Sequence, residues 1–200
     1  MLYIKFDIQD SSKFMAFEKL YAHMVKVRQP GFEFEEEEVP EFDWDNMTPE
    51  EVDKGVKELH SLLDEDEQEL KRYKELIPDY ANAFLKRYLQ VDNDKAGVLG
   101  MLETLSILNY LEYGFEVDMD NLDKIDESSG QVEFSTGNYP YGGMERFLMV
   151  LKAFGLMSTE CYNGFTVYEF DWASDFEHEA IELPEKTKAY LAKMKAKSTK

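Results

Sequence analysis

Leu2, Ile4, Phe6 and Ile8 alternate with Tyr3, Lys5 and Asp7, the two-residue period of a strand with one buried face. The period then changes. After Asp10-Ser11-Ser12, whose short oxygen-bearing side chains suit a helix N-cap, Phe14, Phe17, Leu20, Tyr21 and Met24 recur at helical spacing. This helix is expected to stop before the turn dipeptide Pro30-Gly31.

Thr48-Pro49-Glu50-Glu51 announces a second helix. Thr stands at the N-cap, Pro at the first helical position and Glu at the third, where its carboxylate reaches back to close a capping box. Val52, Val56, Leu59 and Leu63 form its apolar stripe. Pro78 separates the charged segment that follows from a helix near Tyr80 to Leu89, and a further helix runs through Leu99, Leu102, Leu105 and Leu108 to about Tyr113.

Val132-Glu133-Phe134 reads as a short strand, and 135–143 as a loop rich in Gly, Tyr and Asn. Met144, Phe147, Leu148, Leu151 and Phe154 make a regular helical stripe, stopped at Gly155, with Leu156 placed to pack back on it. Phe165 to Trp172 is a strand entered through the Asn163-Gly164 turn. Pro184 opens a lysine-rich helix with Tyr190, Leu191 and Met194 on its inner face. Gly31-Phe32, Gly114-Phe115 and Gly164-Phe165 are unequally spaced, so they mark turns into extended segments and not a repeat. Strands near both ends with helices between predict a single α+β domain over 1–200, its helices packed on a small mixed or antiparallel sheet.

Composition agrees with a folded chain. Two hundred residues that are 44% hydrophobic and 14% aromatic can remove roughly 70% of their unfolded surface from water, which excludes wholesale disorder. The N-terminal strand is interrupted by Lys5 and Asp7 and so lacks the apolar core of a secretory signal. No stretch approaches the roughly 18 apolar residues of a membrane span. Cys161 is the only cysteine, leaving no intramolecular disulfide, and a reducing cytoplasm is the expected compartment.

Charge changes the picture most. The formal net charge is −20, and it is segregated. Residues 31–70 hold seventeen acids against two bases, Lys54 and Lys57, whereas residues 184–200 hold six lysines and one acid, Glu185. Such a field disfavours nucleic acid and anionic membranes and draws in basic partners, while also serving solubility. Within the acidic segment, Phe34, Phe42 and Trp44 interleave with Glu35, Glu36, Glu37 and Glu38. Aromatic anchors in a negative field suit a basic, partly apolar partner surface. The expectation is a non-catalytic interaction protein without a cofactor, in an inhibitor, immunity-type or nucleic-acid-mimic role. The competing reading tucks these aromatics into the protein's own core.

Further patterns carry chemistry. Asp92, Asp94, Gly97 and Glu103 match positions 1, 3, 6 and 12 of a calcium-binding loop, although Ala96 at position 5 offers no ligand. Tyr139, Tyr141, Gly142, Gly143 and Arg146 would suit an anionic, ring-bearing ligand at a helix opening, in an enzyme or binding domain. They carry no P-loop lysine and no dinucleotide fingerprint. Cys161 is a nucleophile only if His23, His60 or His178 meets it in space. His60 with Asp64, and Asp175 with Glu177, His178 and Glu179, are sparse metal-ligand sets that more often form solvated faces.

Overall fold

The first strand is the middle of the structure. In the computed structural model, which describes residues 1–34, 42–63, 66–96, 104–136 and 144–198, β1 (Leu2–Ile8) is followed by α1 (Ser11–Val27). A short 3-10 turn at Trp44–Asn46 precedes α2 (Pro49–Leu63), α3 (Asp66–Leu76), α4 (Asp79–Ala96) and α5 (Leu105–Asn109), which runs into a π-helical turn at Tyr110–Gly114. Then come β2 (Asp118–Lys124), β3 (Ser129–Ser135), α6 (Met144–Ala153), β4 (Leu156–Tyr162), β5 (Val167–Trp172), β6 (His178–Glu182) and α7 (Pro184–Ser198). The strands form one antiparallel sheet in the order β2-β3-β1-β4-β5-β6. The architecture is α+β, as the element pattern predicts.

Local chemistry explains the element ends. Asp10 caps α1, its Oδ1 accepting from the Ser12 N–H at 2.8 Å. The capping box of α2 forms: the Thr48 N–H donates to Glu51 at 2.8 Å, and the Glu51 N–H donates to the Thr48 hydroxyl at 3.4 Å. Gly155 ends α6 with φ +67°, a left-handed conformation that only glycine adopts at little steric cost. That reversal sends Leu156 directly into β4.

The sheet has two unlike faces. Leu2, Ile4, Phe6 and Ile8 point toward α1, where Phe6 meets Phe14 and Phe17 sits between Phe147 and Phe154 of the α6 region. Phe17, Leu20 and Met24 are fully buried there, so truncating Phe17 to alanine is of the class that costs roughly 3–5 kcal/mol. Tyr3 and Lys5 point the other way, toward α7: Tyr190 packs on Tyr3 and Tyr162, and its hydroxyl donates to the Met1 carbonyl at 3.1 Å. Helix α7 therefore lies across the sheet from α1. Its Tyr190 and Met194 are partly covered as expected, but Leu191 faces solvent.

Several elements correct the sequence reading. The charged segment before Pro78 is itself a helix, α3. Strands β2, β4 and β6 were not anticipated, and β5 starts at Val167, two residues later than expected. Helix α4 continues to Ala96, so Asp92 and Asp94 lie in its final turns and not in a loop between helices. Among the described residues no helix is long and apolar enough to cross a membrane.

Candidate functional site

A carboxylate with no solvent exposure sits where α1, α3 and the π-helical turn meet. It belongs to Glu112, the one charged side chain in the run Ile107 to Phe115. The turn that carries it is widened, with the Phe115 N–H reaching the Tyr110 carbonyl at 2.7 Å, an i to i+5 bond. Such widened turns are frequent at functional sites. Burying a carboxylate costs several kcal/mol unless cations and donors meet it. His23 of α1 does so, with Nε2 2.6 Å from Oε1, and Arg72 of α3 donates from Nε at 3.3 Å and Nη2 at 3.5 Å. Three elements distant in sequence are thereby tied at one point.

Arg28, just past the end of α1, makes a second knot beside it. Its guanidinium donates to the carbonyls of Met24, Leu111, Phe115 and Val117, all at 2.7–2.8 Å. These oxygens include the C-terminal ends of two helical segments, where the backbone dipole favours a cation. Burial pulls the guanidinium below its ordinary range, and the neighbouring Tyr110 phenol and Asp118 carboxylate work against that.

Beside Arg28 opens a cleft of about 270 Å³, lined by Glu112, Tyr113, Phe115, Glu116 and Asp118 among others. Tyr113 stands 60% exposed at its rim. Phe34 packs edge-on to Tyr113 with ring centres 5.9 Å apart, and Arg72 stacks over Phe34 at 4.2 Å. Phe32 completes the row, 4.9 Å from Phe34, with Lys26 above it. Phe34 thus fastens the start of the acidic segment onto the Glu112 cluster.

No family model, curated protein or solved structure matches this chain.

The residues singled out from sequence divide as follows. Phe42 and Trp44 pack together, ring centres 4.9 Å apart, and both lie against Gly55 of α2, where a Cβ would meet them at 3.1–3.2 Å. Trp44 keeps a substantial exposed surface and Phe42 is half-buried. The aromatics are therefore partly spent on the protein itself. Glu35, Glu36, Glu37 and Glu38 lie outside the described residues, as do Glu103, Gly97, Tyr139, Tyr141, Gly142, Gly143 and Asp64; nothing is described of the side chains of Asp92, Asp94 and His60. Arg146 lies over the Tyr110 ring, 5.9 Å from its centre.

Cys161 is buried opposite Ile4 of β1, and burial pushes its thiol up to about 12, with Tyr168 as its hydrogen-bond partner. His23 is engaged with Glu112. His178 packs between Phe170 and Trp172, with Nε2 3.8 Å from Glu145. Asp175 pairs with Arg87 at 3.2 Å. Among the described residues no three His, Cys, Asp or Glu side chains are grouped to hold a metal ion. The sequence reading passed over Glu112, Arg72 and Arg28. A lone carboxylate inside an apolar run was the available signal, since it must find a partner when buried.

Proposed function

We propose that this chain is a non-catalytic interaction protein that engages a basic macromolecular partner through the acidic segment 31–70. The observation that carries the reading is the separation of its opposite charges. Phe34 and α3, at the two ends of the acidic segment, belong to the α1 side of the sheet, whereas the lysine-rich α7 packs on the opposite side. Lys186 of α7 is spent on its own side, 2.6 Å from Glu160. With a screening length of about 8 Å at physiological ionic strength, the sheet between α7 and these two ends of the acidic segment keeps the lysines from neutralising them, which supports an acidic segment that acts on other molecules. The aromatics that bracket the glutamate run in sequence have their own supports, Phe34 under Arg72 and the Phe42/Trp44 pair on Gly55 of α2.

The test is kinetic. The partner is captured from native cell extract on the immobilised protein at low salt, eluted at high salt and purified. Its association rate is then measured against wild type and the Glu35→Gln, Glu36→Gln, Glu37→Gln, Glu38→Gln variant across a salt series. The expected result is a rate that falls steeply with salt for wild type and less steeply, from a lower start, for the variant. Equal rates and equal salt slopes would overturn the reading.

A further inference from the structure

We infer that the cleft beside Tyr113 is a socket for one arginine side chain of the basic partner; this deepens the function proposed above and rests on it. Size decides the scale of the guest. At about 270 Å³, the cleft falls below the roughly 300–1,000 Å³ of ordinary small-molecule and cofactor sites. It has room for a side chain presented by a larger molecule.

Charge decides the sign. Among the described residues the lining carries one cation, Arg28, and three carboxylates, Glu112, Glu116 and Asp118. Glu112 is answered from behind by Arg72, so the remaining charges leave the cleft with a net of −1. Arg28 does not act as the partner of Glu116 or Asp118 through hydrogen bonds, because its donors are directed at four main-chain carbonyls. A guest of charge +1 is therefore complementary, and an anion is not.

Shape decides between arginine and lysine. Tyr113 is a large aromatic that is 60% exposed at the rim, held upright by the edge contact with Phe34. A planar guanidinium can stack on that ring while its fork of donors meets Glu116 and Asp118, which a point-like ammonium does less well. The same stacking already occurs next door, with Arg72 over Phe34. Arginine is also among the residues most enriched where interface energy concentrates.

The experiment uses fluorescein-labelled tetra-arginine and tetra-lysine peptides, titrated by anisotropy at low salt against the full chain. Wild type is expected to bind tetra-arginine the more tightly of the two. Tyr113→Ala should weaken tetra-arginine binding about two- to fivefold and abolish the preference, the range of an exposed cation–π contact. Tyr113→Phe should keep the preference. Glu116→Gln with Asp118→Asn should weaken both peptides about five- to tenfold, and it tests the cleft independently should Tyr113→Ala fold poorly. The Glu35–38 glutamine variant should weaken both peptides equally with the preference intact. Loss confined to that variant would overturn the socket and leave the acidic-segment reading standing. Loss confined to the cleft variants would do the reverse. No measurable binding of either peptide would overturn both.

Discussion

Glu112 and Glu160 face the same difficulty on opposite sides of one sheet. Each is a carboxylate almost wholly removed from water, and each is met by two basic side chains. Around Glu112 the partners are His23 and Arg72, whose side chains are only 14% and 25% exposed. Around Glu160 they are Lys5 at 2.7 Å and Lys186 at 2.6 Å, 42% and 59% exposed, with the Tyr3 hydroxyl donating at 3.0 Å. Both clusters join elements far apart in the chain: α1, α3 and the π-helical turn in one case, β1, β4 and α7 in the other. What differs is the fate of the cations once the carboxylate is gone. The lysines can turn into water, whereas His23 and Arg72, much less exposed, are left facing the vacated position. One cluster is a lock inside the core, and the other is a latch on the surface.

The comparison breaks most sharply at Glu112. Glu112→Gln is expected to lower stability by about 3 kcal/mol, measured by urea denaturation, because a buried charge then stands uncompensated. Glu160→Gln should cost about 1 kcal/mol. Equal losses, or the reverse order, would mean that cation exposure is not what separates the two sites.

A pH series sharpens the same contrast. Burial works to raise the Glu160 carboxyl, but hydrogen bonds from Lys186, Lys5 and Tyr3 outweigh it and hold the group below its ordinary 4.5. A depressed carboxyl contributes stability that is complete above the unfolded value and is lost as pH falls through the folded one. Amide exchange should therefore show α7 losing protection as pH drops below about 4.5, ahead of α1. Protection lost first in α1 would contradict the latch.

The smallest effect is expected at Gly55→Ala. Alanine gains up to about 1 kcal/mol of helix propensity, while its methyl group presses on Trp44 and Phe42 at 3.1–3.2 Å. The two nearly cancel, so stability should change by less than about 1 kcal/mol. Tryptophan emission should shift to the red as Trp44 is pushed outward, and unchanged emission would show that the pair does not rest on this helix.

Much of the fold was legible because periodicity survives wherever one face is buried and the other is solvated. That holds for β1, α1, β3, α6 and α7, and for α2 through its capping box. It fails where charge occupies strand positions. Asp118, Asp120 and Asp123 line the edge strand β2, Glu179 and Glu182 line the opposite edge β6, and Glu160 interrupts β4 because α7 neutralises it from outside. Helix α3 was hidden by its dense charge, though Tyr73 and Arg72 face inward. The site was less legible still. His23 and Arg72 stand 89 and 40 residues from Glu112, and no spacing rule links residues brought together only by packing.

The sheet order carries a consequence for how the chain is made. Of the six strands β1 is the first to be synthesised, and the two that flank it in the sheet, β3 and β4, follow only after Ser129 and Leu156. At roughly 5–20 residues per second, translation leaves Leu2, Ile4 and Phe6 without either neighbour for about 6–24 seconds. Throughout that interval two open backbone edges and the greasy stripe of α1 are presented to the crowded cell. Nascent chains should be most vulnerable to clumping, and most dependent on holding chaperones, between the emergence of α1 and that of β4, and slower decoding of residues 30–128 should lower yield more than slower decoding of residues after 163.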